Sequence, residues 1–210
     1  MTALETAFAV FDYAAVAVFA ATGALAAARQ RHDIVTFAFF AAITGVGGGT
    51  LRDLLIDAPV FWISSPGYLI VCLAAAVAVW LVGERTWRMG ALLWLDAIGM
   101  AAYAVVGAAK ALSLGLGPIP ATVMGVLTAC FGGVIRDVLA GEPSVLLRRE
   151  IYVTASLLTA AVFVGLASLG VDRLIAGGAG FTAGLALRGA ALRWGWSLPA
   201  FGKGSGSGTG

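Results

Sequence analysis

The sequence predicts an all-α membrane protein of seven transmembrane helices: two inverted three-helix repeats followed by a seventh helix. Three observations carry this. Sixty per cent of the 210 residues are apolar and only 11% are charged, with a mean hydropathy of +0.97, whereas a soluble domain carries about 25% charged residues. The apolar residues gather into seven runs long enough to cross a hydrocarbon core, which takes roughly 20 residues. Finally, the chain aligns with itself without a gap, from Asp12–Pro59 onto Asp96–Pro143, at an offset of 84 residues.

The seven runs span approximately 7–28, 34–56, 66–83, 90–112, 119–140, 150–169 and 171–191. Polar connections with turn chemistry separate them, among them Arg29 to Asp33, Ser64-Ser65-Pro66-Gly67, Glu84 to Arg88 and Gly115 to Pro120. No basic segment precedes the first run and no small-residue cleavage site closes it, so it reads as a retained span rather than a removable signal. Residues 196–210 form a tail whose Gly/Ser-rich end has linker composition and reads as an expression remnant.

Thirteen of the 48 aligned positions are identical, and they include Asp12/Asp96, Gly23/Gly107, Thr44/Thr128, Gly48/Gly132, Gly49/Gly133, Arg52/Arg136, Asp53/Asp137 and Pro59/Pro143. Tyr68/Tyr152 keeps the same offset. Rare charged residues in register inside two apolar spans mark an internal duplication. The repeats are 1–88 and 89–170, and 171–195 is the added helix. Because each copy holds three spans, the second enters the membrane from the opposite face.

Seven spans put the termini on opposite sides. Arg29, Arg31, Arg85, Arg88, Arg148, Arg149, Arg188 and Arg193 fall on the C-terminal side, with Arg136 near it, against Arg52, Lys110 and Arg173 on the other. The excess of basic residues predicts a cytoplasmic C-terminus and an N-terminus outside. Trp62, Trp80, Trp87, Trp94, Trp194 and Trp196 sit near span ends, as interface anchors do.

Composition also excludes functions. A net charge of +2, scattered along the chain, gives no nucleic-acid surface. Cys72 and Cys130 lie inside apolar runs and read as small core residues. The one histidine, His32, stands in a polar connection with no nucleophile, base or carboxylate cluster around it, so no enzyme, metal site or cofactor is expected.

The middle span of each repeat carries the chemistry. Thr44-Gly45-Val46-Gly47-Gly48-Gly49-Thr50 in one, and Thr128 followed by Phe131-Gly132-Gly133 in the other, place glycines near mid-membrane. Each glycine costs about 1 kcal/mol relative to alanine in a helix, so the runs predict a kink or unwound segment. Freed backbone groups are tolerated at that depth only beside protein or a water-filled cavity, which points to an ion or substrate pathway between the repeats. Close helix packing is the plainer reading of the same glycines. By depth, Asp12 is expected to pair with Arg52 and Asp96 with Arg136, one pair at each mouth, as salt bridges that either hold the repeats together or gate. Arg52 and Asp53 point to different sides of a helix and are not expected to partner each other. Asp53 and Asp137 are expected in the first turn of a half-helix, at the positive dipole end. Lys110 either snorkels to the interface or faces the pathway. Gly180-xxx-Gly184 in the last span allows close approach of another helix.

At GVGGGTLRDLL and FGGVIRDVLAGEPSVLLRREIY the chain resembles the trimeric intracellular cation (TRIC) channel family in its prokaryotic branch, over nearly all of residues 5–195. The resemblance implies a homotrimer in the plasma membrane of a prokaryote, with a potassium-permeable pore in each subunit. It also implies that the glycine-kinked second and fifth spans line that pore and that basic residues of the fourth span, here Lys110, act in gating. Sodium is the alternative permeant ion. Inverted repeats suit a secondary transporter of a small ion or solute equally well, and that is the alternative function.

Overall fold

In the computed structural model the described residues are 3–82, 89–144 and 150–199. Arg85, Trp87, Arg88, Arg148, Arg149 and the end of the tail lie outside them. Eight helices follow one another: α1 (Ala3–Arg29), α2 (Ile34–Leu55), α3 (Phe61–Ser64), α4 (Gly67–Val82), α5 (Met89–Ser113), α6 (Pro118–Leu139), α7 (Val153–Ser168) and α8 (Arg173–Trp194). Seven correspond to the expected spans. The eighth, α3, is a single turn inside what reads as a polar connection. Helices α1, α2, α5, α6 and α8 are long and apolar enough to cross a membrane. The apolar helices α4 and α7 have 16 residues each, about 24 Å at 1.5 Å per residue.

Local signals set the boundaries. Asp33 caps α2: its Oδ1 accepts from the Thr36 amide at 2.8 Å, which holds the carboxyl below the ordinary carboxylate range. Pro118 opens α6 at the first helical position, where its missing N–H is no loss. Asp172 caps α8 by accepting from the Leu174 and Ile175 amides.

The turns repeat the duplication. Helix α1 closes on Arg31 (φ 56°), and α5 closes on Gly115 (φ 81°). The following amides of His32 and Leu116 return to the carbonyls of Ala27 and Ala111. Helix α2 closes on Asp57 (φ 53°) and α6 on Gly141 (φ 62°), with the Ala58 and Glu142 amides returning to Asp53 and Asp137 at 2.9 Å. Every one of these pairs stands 84 residues apart. These are left-handed C-caps, where glycine is the easy choice. The first half builds them from Arg31 and Asp57 instead.

Packing follows the same order. Helix α1 lies on α2 and α4, and α2 on α4; α5 lies on α6 and α7, and α6 on α7. The halves meet chiefly through α1 on α5 and α2 on α6, while α8 lies mainly on α7 and α5 and reaches α1 through the Phe11–Phe181 ring contact. Phe19 and Tyr103, also 84 apart, stack at the centre with ring centroids at 5.1 Å. Small residues allow this density: Ala20, Ala24, Ala27, Ala104, Ala108 and Ala111 are all buried along α1 and α5.

The glycine-rich stretches do not interrupt their helices. Helix α2 runs unbroken through Gly45–Thr50, and α6 through Gly132-Gly133. Asp53 and Asp137 therefore stand in the last turn of α2 and α6, at the negative end of the dipole, and not in the first turn of a half-helix. The glycines instead let backbones touch. A Cβ on Gly48 would overlap the Thr128 carbonyl, and one on Gly132 would stand 2.7 Å from the Thr44 carbonyl. Moving from 44 to 48 on α2 runs from 132 to 128 on α6, so the two helices cross antiparallel at this point. Gly45 makes room for Cys72, Gly47 for Ile135 and Gly49 for the Phe61 ring. Gly133 faces Tyr152, Arg136 and Asp96 at ordinary contact distance.

Candidate functional site: two charged clusters joined by the α2–α6 crossing

The antiparallel crossing carries the C-terminal ends of α2 and α6, each with its Arg-Asp pair, to opposite ends of the bundle. Around Asp53 a hub forms. Its Oδ1 accepts from Arg52 Nε and Nη2 at 2.8 Å and from Lys110 Nζ at 2.7 Å, and its Oδ2 accepts from the Phe61 amide at 3.0 Å. Asp53 is fully buried and Arg52 nearly so. Four donors on one carboxylate compensate the desolvation that a lone charge would suffer. The one-turn helix α3 contributes here too: the Phe61 ring lies 5.8 Å from the Arg52 guanidinium carbon, and Trp62 Nε1 donates to Thr50 Oγ1 at 2.9 Å.

The expected Asp12–Arg52 pair does not form. Asp12 Oδ2 accepts from the Tyr68 hydroxyl at 2.8 Å, and Tyr68 is itself fixed by a stack on Tyr13 with centroids at 4.0 Å. Arg52 turns to its sequence neighbour, because a long guanidinium side chain can curl around the helix to a carboxylate one residue on. The separation of side-chain directions that argued against an Arg52–Asp53 contact holds for the Cβ atoms, not for the charged tips. The Arg52 Nη1 atom is buried without a hydrogen-bond partner.

At the other end Arg136 bridges two carboxylates. Its Nη1 is 2.6 Å from Asp96 Oδ1 and its Nη2 is 2.8 Å from Asp137 Oδ1, with Nη1 also donating to Thr22 Oγ1 at 3.1 Å. The Asp96–Arg136 contact is the one sequence depth suggested. Tyr152, the counterpart of Tyr68, reaches the Ala129 carbonyl at 3.5 Å and also hydrogen-bonds Asp96, so the two halves differ in where the arginine goes and not in the tyrosine. Around this cluster Arg29 pairs with Glu142 at 3.3 Å, Gln30 Nε2 donates to the Ala140 carbonyl, and Arg188 Nη2 lies 2.5 Å from Glu150 Oε2. Arg188 is wholly buried and stands over the Tyr152 ring at 5.2 Å.

Thr44 and Thr128, both fully buried, sit between the clusters. The Thr128 hydroxyl donates to the Met124 carbonyl at 2.6 Å, whereas Thr44 Oγ1 has no partner. The Tyr103 hydroxyl donates to the Gly45 carbonyl at 2.6 Å.

The two ends are open to different degrees. Asp12, Arg52, Phe61, Tyr68, Lys110 and Arg173 are among the residues around a cavity of about 490 Å³. The cavity between Asp96, Arg136, Asp137, Glu142, Glu150 and Arg188 holds only about 30 Å³, room for a water or two. Sequence reasoning missed Thr22, Tyr68, Tyr103, Glu150 and Arg188 as site residues. The Tyr68/Tyr152 register was a usable signal for one of them, and Arg188 was read only as a topology charge.

Comparison with known proteins agrees with this architecture. The family model described as Glycine transporter matches twice, at residues 9–84 and 93–168, so both starts and both ends stand 84 apart. A UPF0126 membrane protein of Vibrio cholerae is 37% identical over 206 residues, covering 95% of this chain and 85% of the relative. The UPF0126 inner membrane protein YadS of Escherichia coli K12 is 37% identical over 194 residues, covering 90% and 94%. Among solved structures, the TRIC trimeric intracellular cation channel orthologue from Rhodobacter sphaeroides is 47% identical with a TM-score of 0.87, covering 91% of this chain and all of that one. A second, described for conductance through TRIC cation channels, is 31% identical with a TM-score of 0.83 and covers 94% and 98%. With a match on both halves and close identity along the full length of a solved channel, the chain belongs to the family described by the Glycine transporter model and, within it, to the prokaryotic TRIC channels.

Proposed function

We propose that this protein is a potassium-permeable channel for monovalent cations, with a pathway through each subunit that follows α2 and α6 from one charged cluster to the other. The observation that carries the reading is the antiparallel α2–α6 crossing with an Arg-Asp pair at each end, together with 47% identity to a TRIC channel. The crossing, the matched left-handed turns and the doubled family match support two inverted three-helix repeats. Seven helices then cross the bilayer, with α4 and α7 as the short spans. The trimeric description of the relative supports a homotrimer. Lys110, bound to Asp53 in this conformation, is the one basic residue of α5 available to act on the pathway, and Thr44 and Thr128 supply hydroxyls at its middle.

Single-channel recording in a planar bilayer under a potassium gradient tests the proposal. Discrete openings that reverse toward the potassium equilibrium potential are expected, with sodium substitution reporting the selectivity. Absence of unitary current from protein that is folded and incorporated overturns it. The transporter reading is favoured by one feature: the 490 Å³ cavity sets Asp12 opposite Arg52 and Lys110, an arrangement that suits a small zwitterion. It predicts saturable counterflow of labelled glycine in liposomes without unitary current.

The arginine-rich side supports a bacterial plasma-membrane protein with its C-terminus in the cytoplasm and its N-terminus outside. A reporter active only in the cytoplasm is expected to work when fused after Leu192. Activity at the N-terminus and none after Leu192 reverses the topology.

A further inference from the structure

The two cavities at the ends of the α2–α6 crossing are counterparts of one another. Asp12 and Asp96, Arg52 and Arg136, and Ser113 and Arg29 line them in matching places, each pair 84 residues apart, as inverted repeats require. Their volumes nevertheless differ, about 490 Å³ against about 30 Å³. Differences between the repeats do not account for this. Ala26 stands in the small cavity where the large one has the longer Lys110, and Arg29 and its partner Glu142 are each about one-third exposed, at the rim rather than inside.

Arg188 accounts for it. It comes from α8, the helix outside the duplication, is 2% exposed, and lines the small cavity. Among the described residues no helix of the first half corresponds to α8. The Gly180-xxx-Gly184 spacing delivers the arginine. A Cβ on Gly180 would stand 2.7 Å from the Thr159 carbonyl, and one on Gly184 would overlap the Thr159 hydroxyl. Helix α8 therefore lies backbone-close on α7, and Arg188, one turn further on, is carried into the mouth. There its Nη2 is 2.5 Å from Glu150 Oε2, and its guanidinium carbon lies 5.2 Å from the centre of the Tyr152 ring. Its Nε is buried without a hydrogen-bond partner, which leaves the side chain held at its tip. Glu150 is tied to α8 a second time, by an antiparallel backbone bridge to Ser197 just past the helix end. A buried guanidinium needs its carboxylate, so the place of Arg188 depends on Glu150.

We propose that Arg188, positioned by Glu150, is the residue that closes this mouth, and that breaking the pair opens there a counterpart of the 490 Å³ cavity. This closure rests on the reading of a pathway from one cluster to the other and assigns what shuts it.

Thiol accessibility tests the closure without any current. Ala26→Cys places a thiol in the small cavity and Ser113→Cys places one in the large cavity. The parent chain, with Cys72 and Cys130 both buried, gives the background. In nanodiscs, which leave both faces open to the reagent, a small water-soluble methanethiosulfonate is expected to label Ser113→Cys quickly and Ala26→Cys slowly. Adding Arg188→Ala or Glu150→Gln to Ala26→Cys is expected to raise its labelling about tenfold, because an occluded thiol reacts in proportion to the time its site is open. Arg188→Lys, which keeps bulk and charge, leaves the labelling slow. Glu150→Gln retains the Arg188 side chain and decides the matter if Arg188→Ala does not fold. Ala26→Cys as reactive in the parent as Ser113→Cys overturns the proposal, and so does unchanged slow labelling in folded protein carrying Glu150→Gln. Faster labelling in protein that passes no unitary current upholds the closure and overturns the channel reading instead.

Discussion

Gly48→Ala is expected to destabilise the detergent-solubilised protein by about 3 kcal/mol, at the upper end of the usual cost of overpacking. The new methyl group would overlap the Thr128 carbonyl, and a backbone atom inside a helix cannot step aside as a flexible side chain does. Gly132→Ala is expected to act in the same direction through the Thr44 carbonyl at 2.7 Å. Gly165→Ala and Gly178→Ala are the controls, because nothing lies within 4 Å of either position. Thermal unfolding followed by size-exclusion chromatography separates the two classes. Wild-type stability in Gly48→Ala would mean that α2 and α6 do not meet backbone to backbone, and the glycines would return to the reading in which they open a pathway.

Neutralising the central charge of each hub, Asp53 in one and Arg136 in the other, is the second large effect. Asp53→Asn leaves Arg52 and Lys110 together without their anion, and removing one side of a buried pair costs about 3–5 kcal/mol. Asp12→Asn is expected to cost far less, because the partner of Asp12 is a neutral hydroxyl at 2.8 Å and an amide can still accept it. In the other half, Arg136→Gln removes the guanidinium that Asp96 and Asp137 share and is expected to match the loss in Asp53→Asn. Double-mutant cycles sharpen the comparison. Asp96 and Arg136 are expected to couple in stability, while Asp12 and Arg52 are expected to be additive. Strong coupling between Asp12 and Arg52, with none between Asp53 and Lys110, would show that the hub is wired differently from the geometry described above.

The duplication was legible because charge is expensive in a bilayer: an aspartate or arginine inside a span has few reasons to be there, so three pairs of them in register speak clearly. The turns confirm the same register through Arg31/Gly115 and Asp57/Gly141, although only one member of each pair is a glycine. What the glycines do was not legible. A helix tolerates glycine either because it must break or because something must come close, and the deciding object, the carbonyl of Thr128, lies 80 residues away in sequence. The ion partners were half legible for a related reason. Depth along a span identifies which groups share a level, and it succeeded for Asp96 and Arg136. It fails for Arg52, where the reach of the side chain decides the partner. Helix α3 left no signal, being one turn long, yet it delivers the Phe61 amide to Asp53.

On the proposed pathway, the unequal cavities set where a membrane voltage is felt. Electrolyte entering the 490 Å³ cavity keeps its interior near the potential of the adjoining solution, so most of the voltage drop is compressed into the occluded length beyond it. A full elementary charge crossing that drop gains about 2.3 kcal/mol per 100 mV. Lys110 lines the larger cavity, whereas Arg136, Asp96 and Asp137 line the one of about 30 Å³. On the proposed pathway, electrical work is therefore expected to fall on the Arg136 triad before it falls on Lys110.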